Sequence, residues 1–195
     1  VMYISDGNSK MTFPTWSLPS KKTCPGSTPI CRKRCYAHAA EVQYPGVLPC
    51  RLRNLHASRS KGFVVDMASA IKRRRKVTFF RIHESGDFYS QKYLNSWFDI
   101  CRQLPKIRFL TFTKSYDLDY SKCPKNLVIM FSVFPDTDLS KVPSGPRAYA
   151  GAMSKRRRTI ECPGNCDSCG LCWDIHTAAA DVHFAIHGSG LYNRN

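Results

Sequence analysis

Four cysteines near the end of the chain stand within eleven residues, closer together than four independent structural thiols need to be. Spacings of three, two and two intervening residues let one short loop curl around an iron–sulfur cubane, and two glycines within the run permit tight turns. A tetrahedral zinc site usually takes cysteine pairs from two separate loops, so the run favours a [4Fe–4S] cluster and leaves zinc as the alternative. The predicted ligands are Cys162, Cys166, Cys169 and Cys172.

The first three of these cysteines also reproduce the spacing found in radical enzymes, which leave one iron of the cluster free for S-adenosylmethionine. Those enzymes carry the run near the start of the chain, after the first strand, whereas this run lies near the end. It is also followed by a fourth candidate ligand, Cys172. Because a cluster with four protein ligands has no open iron, the local pattern favours a structural or electron-handling role.

A second group of cysteines lies in the first part of the chain, at Cys24, Cys31 and Cys35, with Cys50 farther along. Three cationic residues, 32–34, separate two of these thiols, and cationic neighbours favour the thiolate form that binds metal. The spacing leaves three alternatives open: a second cluster, zinc, or joint ligation with the C-terminal run. Elsewhere, Cys101 falls on an apolar helix stripe and is predicted to be a core residue.

Composition bears on the compartment and the partner of this protein. Without a charged stretch followed by an apolar stretch at its start, the chain is predicted to be cytoplasmic, where its ten cysteines are expected to be reduced or metal-bound. No run of 18 apolar residues is present, so no membrane association is expected. The 30 lysines and arginines outnumber 14 acidic residues, giving a net charge of +16. This excess predicts binding to DNA or RNA with little sequence preference, with solubility as the alternative explanation.

The hydrophobic pattern predicts an α/β fold. Nearly continuous apolar strands are expected at 77–82, 107–113, 127–134 and 182–186, with helices at 62–76 and from the cap Ser90 to Pro105. Such strands, separated by crossover-length segments, indicate a parallel sheet covered on both faces and similar to a partial (β/α) barrel, with a cysteine-rich metal lobe. One domain, 1–195, is predicted, with a loop-rich, proline-containing cysteine segment at 20–60 and a metal-binding segment at 160–175.

Polar residues follow the predicted strands where these end. Ligands bind at the carboxyl edge of parallel sheets, so acid–base or metal chemistry is expected where these side chains converge. A loop-capping network is the alternative for 83–87, in which Asp87 satisfies backbone donors. The candidate catalytic residues are His83, Glu84, Asp87, Lys114 and His187, with Asp136 on the same edge.

Several short motifs resemble those of a phage- and plasmid-borne family, the gene-product-88-like proteins, over nearly the whole chain. They are Gly7-Asn8-Ser9-Lys10, Cys24-Pro25-Gly26, Cys31, Cys35-Tyr36-Ala37, the segment from Arg81 to Gln91, Thr113-Lys114-Ser115 and the four-cysteine run. The resemblance implies a mobile-element context and a cysteine-bound cluster, and it transfers no catalytic role.

Three functions are compatible with these features. The first is an iron–sulfur nuclease or nucleic-acid-modifying enzyme whose strand-end residues carry the chemistry. The second is a non-catalytic, redox-sensitive nucleic-acid-binding protein in which the metal lobe stabilises the fold. The third is a radical-type iron–sulfur enzyme acting on a small molecule, which requires an iron open to S-adenosylmethionine.

Overall fold

The computed structural model describes residues 2–8, 10–151, 159–175 and 180–184. The strands are β1 Thr15–Trp16, β2 Phe79–Ile82, β3 Arg108–Thr113, β4 Leu127–Val133, β5 Arg147–Ala150, β6 Thr159–Glu161 and β7 Asp181–Phe184. The α-helices are α1 Pro29–Lys33, α2 Tyr36–Gln43, α3 Val47–Ser58, α4 Phe63–Lys72, α5 Gln91–Gln103 and α6 Cys166–Cys169, and short 3-10 helices cover Leu139–Lys141 and Leu171–Trp173.

The seven strands form one sheet in the order β1-β2-β3-β4-β5-β7-β6, and every pairing is parallel. The predicted α/β fold with a parallel sheet is therefore confirmed, and the described strands do not close into a barrel. The first five strands are neighbours in chain order. Because parallel strands all end at one edge, the loops that follow β1, β2, β3 and β4 meet there.

Helices α4 and α5 cover the first face of the sheet. Helix α5 begins after Ser90, whose hydroxyl accepts a hydrogen bond from the backbone of Tyr93 at 3.3 Å. Its apolar side chains recur every three or four residues, and among them Trp97 packs against Phe80 of β2 with ring centroids 5.9 Å apart. Cys101 is fully buried in the same cluster, which confirms its predicted place in the core.

The second face of the sheet is covered by the C-terminal cysteine segment rather than by long helices. Leu110, Met130 and Val182 project from β3, β4 and β7 into an apolar cluster with Trp173 and Ile175. Cys166 and Cys172 pack against this cluster. The sheet is thus buried on both faces, as its nearly continuous apolar strands predict.

The segment 20–60 differs from the prediction of a loop-rich region, because it contains α1, α2 and α3. Pro29 occupies the first turn of α1, where a missing N–H is tolerated, and Tyr44 ends α2 directly before Pro45. Helices α2 and α3 are joined by an ion pair between Glu41 and Arg51, 2.9 Å apart and largely buried. The prolines therefore mark helix ends here rather than an absence of helices.

Three strands escape the sequence pattern. β1 and β6 have two and three residues, and β5 begins with the charged Arg147, so none produces a recognisable apolar run. The four predicted strands are present as β2, β3, β4 and β7, each within two residues of its predicted start; 185 and 186 lie outside the described residues. In the part of the chain that the structure describes, no helix has the length and apolar character needed to cross a membrane.

Candidate functional site at the carboxyl edge of the sheet

The loop that leaves β1 carries three cysteines across the carboxyl edge of the sheet. Cys24 follows a turn, Cys31 lies in α1, and Cys35 is the residue before α2. Thr28 fixes the start of α1, since its hydroxyl accepts a hydrogen bond from the Cys31 backbone at 3.2 Å. All three thiols are free and half-buried. The first cysteine group is therefore next to the sheet edge, a position that the sequence pattern does not reveal.

Burial dominates the electrostatics of the Cys24 and Cys31 thiols. It raises the pKa of Cys24 to about 12, and it also raises the pKa of Cys31 against the opposing positive charge of Lys114. The sequence predicts the reverse direction from the cationic residues at 32–34, and the structure corrects it for Cys31. Metal-free thiols in such an environment are protonated at neutral pH, and a bound cation would be needed to convert them to thiolates.

Lys114 lies beside these cysteines at the end of β3. Burial lowers the pKa of its ammonium, but electrostatic interactions with Cys31, Asp87 and Cys24 outweigh burial and raise the pKa above its ordinary value. Its Nζ is also 5.0 Å from the centroid of the Phe134 ring, just beyond β4. Lys114 is therefore a cation held between the first cysteine group and the ends of β2 and β4.

Asp87 joins the ends of β2 and β3. Its Oδ1 accepts hydrogen bonds from the Thr113 hydroxyl at 2.6 Å and from the Phe88 backbone at 2.7 Å, and its Oδ2 accepts one from the Lys114 backbone at 2.8 Å. Burial raises the pKa of this carboxyl, and the positive charge of Lys114 and the three hydrogen bonds oppose the rise. Both oxygens are engaged with the protein, so Asp87 positions Lys114 rather than facing open space.

Replacing Asp87 by asparagine is expected to lower stability by about 2–3 kcal/mol, because one of three buried donors loses its acceptor. The side-chain NH₂ group of the asparagine would face either the backbone N–H of Lys114 or the donors from Thr113 and Phe88, and two donors repel each other. Urea denaturation of Asp87→Asn and of the parent protein measures the change in the free energy of unfolding.

The matched control is Asp138→Asn, in a solvent-exposed turn where the carboxylate accepts hydrogen bonds from the backbone and hydroxyl of Ser140. That variant should unfold at nearly the parental urea concentration. A parental midpoint for Asp87→Asn would show that the three contacts contribute little.

Two glycines let the loops at this edge pack closely together. A Cβ on Gly26 would lie 1.8 Å from the carbonyl oxygen of Lys114. A Cβ on Gly86, which has φ +84, would lie 2.6 Å from Leu18 Cβ and from Thr23 Oγ1. The loops after β1, β2 and β3 thus form one packed unit around the first cysteine group.

His83 does not face the edge. Its positive φ of 64 turns the residue into the core beneath α5, where its Nε2 lies 2.9 Å from the hydroxyl of Tyr93. That hydroxyl also accepts a hydrogen bond from Trp16 Nε1 at 2.9 Å. Burial, with a smaller effect from Arg81, lowers the pKa of His83 to about 3. His83 is therefore a neutral, buried imidazole that packs against Phe88 and Tyr93.

Glu84 borders a cavity beside β1. Its Oε1 accepts a hydrogen bond from Asn8 at 2.8 Å, and its backbone oxygen accepts one from the Tyr36 hydroxyl at 2.7 Å. The cavity of about 490 Å³ is also lined by Tyr44 and Asn54. Glu84 therefore connects the loop after β2 to the start of α2, directly after Cys35.

The structure brings together only part of the predicted catalytic set. Asp87 and Lys114 meet at the first cysteine group, Glu84 borders the neighbouring cavity, and His83 lies in the core. Asp136 accepts a hydrogen bond from the backbone of Ile30 at 2.8 Å, which ties the loop after β4 to α1. His187 lies outside the described residues.

The C-terminal cysteine segment, 162–172, is a compact turn on the second face. Asn165 caps α6 by accepting a hydrogen bond from the Ser168 backbone at 3.2 Å, and Gly170 ends the helix with φ 61. The N-terminal region anchors it: Cys166 donates its backbone hydrogen to Lys10 at 2.8 Å. Loop geometry thus brings the four cysteines into one neighbourhood.

The thiols of this segment differ in exposure. Cys162 and Cys169 are exposed, whereas Cys166 and Cys172 are half-buried against the second face. Burial raises the pKa of Cys172 to about 12, the neighbouring Cys162 adds to the rise, and the positive charge of Arg81 opposes it. Arg81 opposes the burial effect at Cys166 as well.

Neither cysteine group converges on a single point. Among residues 2–8, 10–151, 159–175 and 180–184, no three cysteine, histidine, aspartate or glutamate side chains are arranged so that they could hold one metal ion. The predicted metal ligands Cys24, Cys31 and Cys35, and those of the C-terminal segment, stay predictions.

The sequence predicts no catalytic or metal-binding role for two residues that lie near the site, Tyr36 and Arg81. Tyr36 reaches the loop after β2, and Arg81 interrupts the apolar run of β2. For Arg81 a signal was present, because strands of a sheet covered on both faces are expected to be apolar throughout. A charged residue within such a strand suggests a specific partner.

The open parallel sheet with helices packed on it defines an α/β protein, and the cysteine-bearing loop at its carboxyl edge is the candidate site. The family model described as Gene product 88 matches residues 3–175, and the chain belongs to this family. It is 26% identical to the Gene 88 protein of Mycobacterium phage L5, over 88% of this chain and 82% of that protein. It is 24% identical to the Gene 88 protein of Mycobacterium phage D29, over 80% of each. No solved structure matches the chain significantly.

Proposed function

We propose that this protein is a radical-type iron–sulfur enzyme in which Cys24, Cys31 and Cys35 hold a [4Fe–4S] cluster with one iron open to S-adenosylmethionine. The observation that carries the proposal is the position of three free, half-buried thiols in the loop directly after β1, at the carboxyl edge of a parallel sheet. Radical enzymes of this type carry their cysteines after the first strand. Three thiolates on four irons leave one iron without a protein ligand.

The donor set suits a cluster better than a single ion. A zinc ion requires its ligands to meet at about 2.0–2.3 Å from one point, which the described side chains do not do. A cubane instead takes each thiolate on a different iron, so its ligands stand apart around it. When bound, the group supplies one-electron chemistry for reductive cleavage of a sulfonium, with the electron taken from a low-potential reductant.

The remaining residues of the site hold the cysteine loop in place. Lys114 places a positive charge beside Cys31 and Cys24, which favours thiolates over thiols once metal is present. Asp87 fixes the backbone of Lys114 through a hydrogen bond. Gly26 lets the loop after β1 pack against the carbonyl group of Lys114. We assign these three residues positioning roles.

The proposal extends to the fold and to the second cysteine group. Strands β1 to β5 follow chain order, as strands do in a (β/α) barrel, and we take the open sheet to be an incomplete barrel with its site at the usual edge. The C-terminal segment, with four cysteines, would hold a second and fully ligated cluster in an electron-handling role.

The test uses protein purified without oxygen and reduced with dithionite. Addition of S-adenosylmethionine should change the electron paramagnetic resonance spectrum of the cluster and produce 5′-deoxyadenosine. Cys31→Ser should abolish both effects, while Cys123→Ser, which alters a loop thiol outside both cysteine groups, should preserve them.

Folded, colourless, zinc-loaded protein would overturn the proposal, as would a cluster spectrum indifferent to S-adenosylmethionine. Cleavage of DNA or RNA that continues without the cluster would favour the nuclease hypothesis instead.

Nucleic acid remains a predicted partner, favoured by a basic patch that we define as Arg73, Arg75 and Lys76. These residues are exposed just beyond α4, and none has a carboxylate partner among the described residues. Their neighbour Arg74, by contrast, pairs with Asp6. Unpaired surface cations in a protein of net charge +16 are available for phosphate contacts.

Changing all three residues of the basic patch to glutamine is expected to weaken binding to DNA or RNA at low salt. The negative slope of log affinity against log salt concentration should become shallower by up to about 3, since each phosphate contact contributes roughly 0.9 to its magnitude. Fluorescence anisotropy with a labelled oligonucleotide over a series of salt concentrations measures that slope.

Arg102→Gln on α5 is the control, because Arg102 is engaged with Asp99 and with the backbone of Lys122. Its salt dependence should match that of the parent. Failure of the parent protein to bind a nucleic-acid column at low salt would refute the prediction.

A further inference from the structure

Arg81 is a charged residue within β2, the strand that leads into the predicted site. It is in register with Thr15 of β1 and Leu110 of β3, and it lies on the second face of the sheet. Its guanidinium carbon is 4.4 Å from the centroid of the Phe112 ring. Its Nε is buried without a hydrogen-bond partner, and no carboxylate pairs with the guanidinium in the part of the chain that the structure describes.

A neighbouring arginine shows how this sheet neutralises such a charge elsewhere. Arg108 of β3 also stacks over an aromatic ring, that of Phe79, at 5.5 Å. It forms an ion pair with Asp174 at 2.5 Å and donates a hydrogen bond to the carbonyl oxygen of Trp173. Arg81 has the same kind of aromatic contact, but among the described residues it has no carboxylate partner.

Arg81 lies between the C-terminal cysteine segment and β1. On one side, Cys166 and Cys172 pack against the apolar cluster to which Phe112 belongs, and the charge of Arg81 acts on both thiols. On the other side stands Thr15, its partner in register. The hydroxyl of Thr15 reaches Glu84 at 3.4 Å, and the backbone of Glu84 accepts the hydrogen bond from Tyr36.

The nearby carboxylate does not satisfy this cation. Glu84 directs its Oε1 to Asn8 at 2.8 Å, and it forms no ion pair with Arg81 within the described residues. A half-buried guanidinium on an apolar face is poorly screened, so an anion there would be attracted more strongly than at an open surface. A planar oxyanion can also accept two parallel hydrogen bonds from one guanidinium.

We propose that Arg81 binds the carboxylate or phosphate group of a small molecule on the second face of the sheet. The proposal rests on the proposed function only in offering S-adenosylmethionine, through its α-carboxylate, as one such molecule. A nucleotide phosphate is the other source of the same chemistry. In either case the oxyanion would supply the acceptor that Nε lacks.

The experiment measures binding of three probes to anaerobically purified protein by isothermal titration calorimetry. The probes are S-adenosylmethionine, its decarboxylated analogue and inorganic pyrophosphate. Arg81→Met, which keeps the stem but removes the charge, should weaken binding of the matching probe about 10–100-fold. Arg81→Lys keeps the charge and loses the planar fork, so an intermediate loss is expected.

The pattern across the probes identifies the source of the oxyanion. If the ligand is a carboxylate, the decarboxylated analogue should bind the parent as weakly as S-adenosylmethionine binds Arg81→Met. If the ligand is a phosphate, pyrophosphate binding should depend on Arg81 instead. Arg108→Lys is the matched control and should bind the probes like the parent, because its counterpart Asp174 already satisfies that position.

The result separates this inference from the proposed function. In one outcome, S-adenosylmethionine changes the cluster spectrum equally in the parent and in Arg81→Met, and no probe binds Arg81→Met more weakly than the parent. That outcome refutes the role of Arg81 and supports the radical function. Pyrophosphate binding that depends on Arg81 in a protein without a cluster would support Arg81 and refute the radical function. Absence of binding of every probe to the parent protein overturns the inference. Arg81→Lys provides the comparison if Arg81→Met does not fold.

Discussion

Cys31→Ser is expected to remove about half of the iron and sulfide from anaerobically purified protein, and all of the response to S-adenosylmethionine. Cys31 lies in α1 between Cys24 and Cys35, and Lys114 is beside it. Serine retains the size of the side chain but is a poor iron ligand, so the cluster after β1 would lose one of only three protein ligands. Iron and sulfide assays, with the absorption spectrum, measure the loss.

A serine variant in the C-terminal cysteine segment tests whether the two cysteine groups hold separate clusters. Cys169→Ser should remove the other half of the iron, together with order in the exposed turn of α6, because metal sites of this size contribute to folding. Two partial losses indicate two separate clusters. Complete loss of iron in either single variant would indicate joint ligation by both groups, and an unchanged iron content in Cys31→Ser would remove Cys31 from the ligand set.

Gly26→Ala is expected to destabilise the protein by at least about 3 kcal/mol, or to prevent folding of the loop after β1. The added Cβ would lie 1.8 Å from the carbonyl oxygen of Lys114 and 3.2 Å from the backbone nitrogen of Ser115. Both contacts are backbone atoms at the end of β3, so no side chain can move aside to make room. Thermal and urea denaturation measure the effect, and the iron assay shows whether the cluster is lost with it.

Gly46→Ala is the matched control, because nothing lies within 4 Å of a Cβ at that position. Its stability should stay within about 0.5 kcal/mol of the parent. Equal stability of the two alanine variants would mean that the loop after β1 can move away from β3 without loss, and the positioning role of Gly26 would be abandoned.

The sequence predicts the sheet best where strands are long. β3 and β4 have six and seven residues, and their apolar runs are unmistakable, so the polar residues at the strand ends follow directly. The convergence of Asp87 and Lys114 was predictable in this way. β1 has two residues, and without it the first cysteine group cannot be placed at the sheet edge.

The misplacement of His83 has a different cause. As the first residue after β2, it was expected at the carboxyl edge, but its positive φ turns the side chain toward Tyr93 and the core. Residue type and position cannot reveal one unusual backbone angle. For Arg81 the sequence shows a charged residue within a buried strand, but it does not show which face of the sheet the charge lies on. That position follows only from the register with Thr15 and the contact with Phe112.

The order of the last strands affects how this chain emerges during synthesis. β6 precedes the C-terminal cysteine segment in the sequence, yet it pairs with β7, which follows that segment and separates β6 from β5. β6 therefore has no sheet neighbour among the described strands until β7 has left the ribosome. All four cysteines are synthesised during that interval, while the adjacent strand β6 is still unpaired. The sheet can therefore be completed only after the whole cysteine segment has been synthesised.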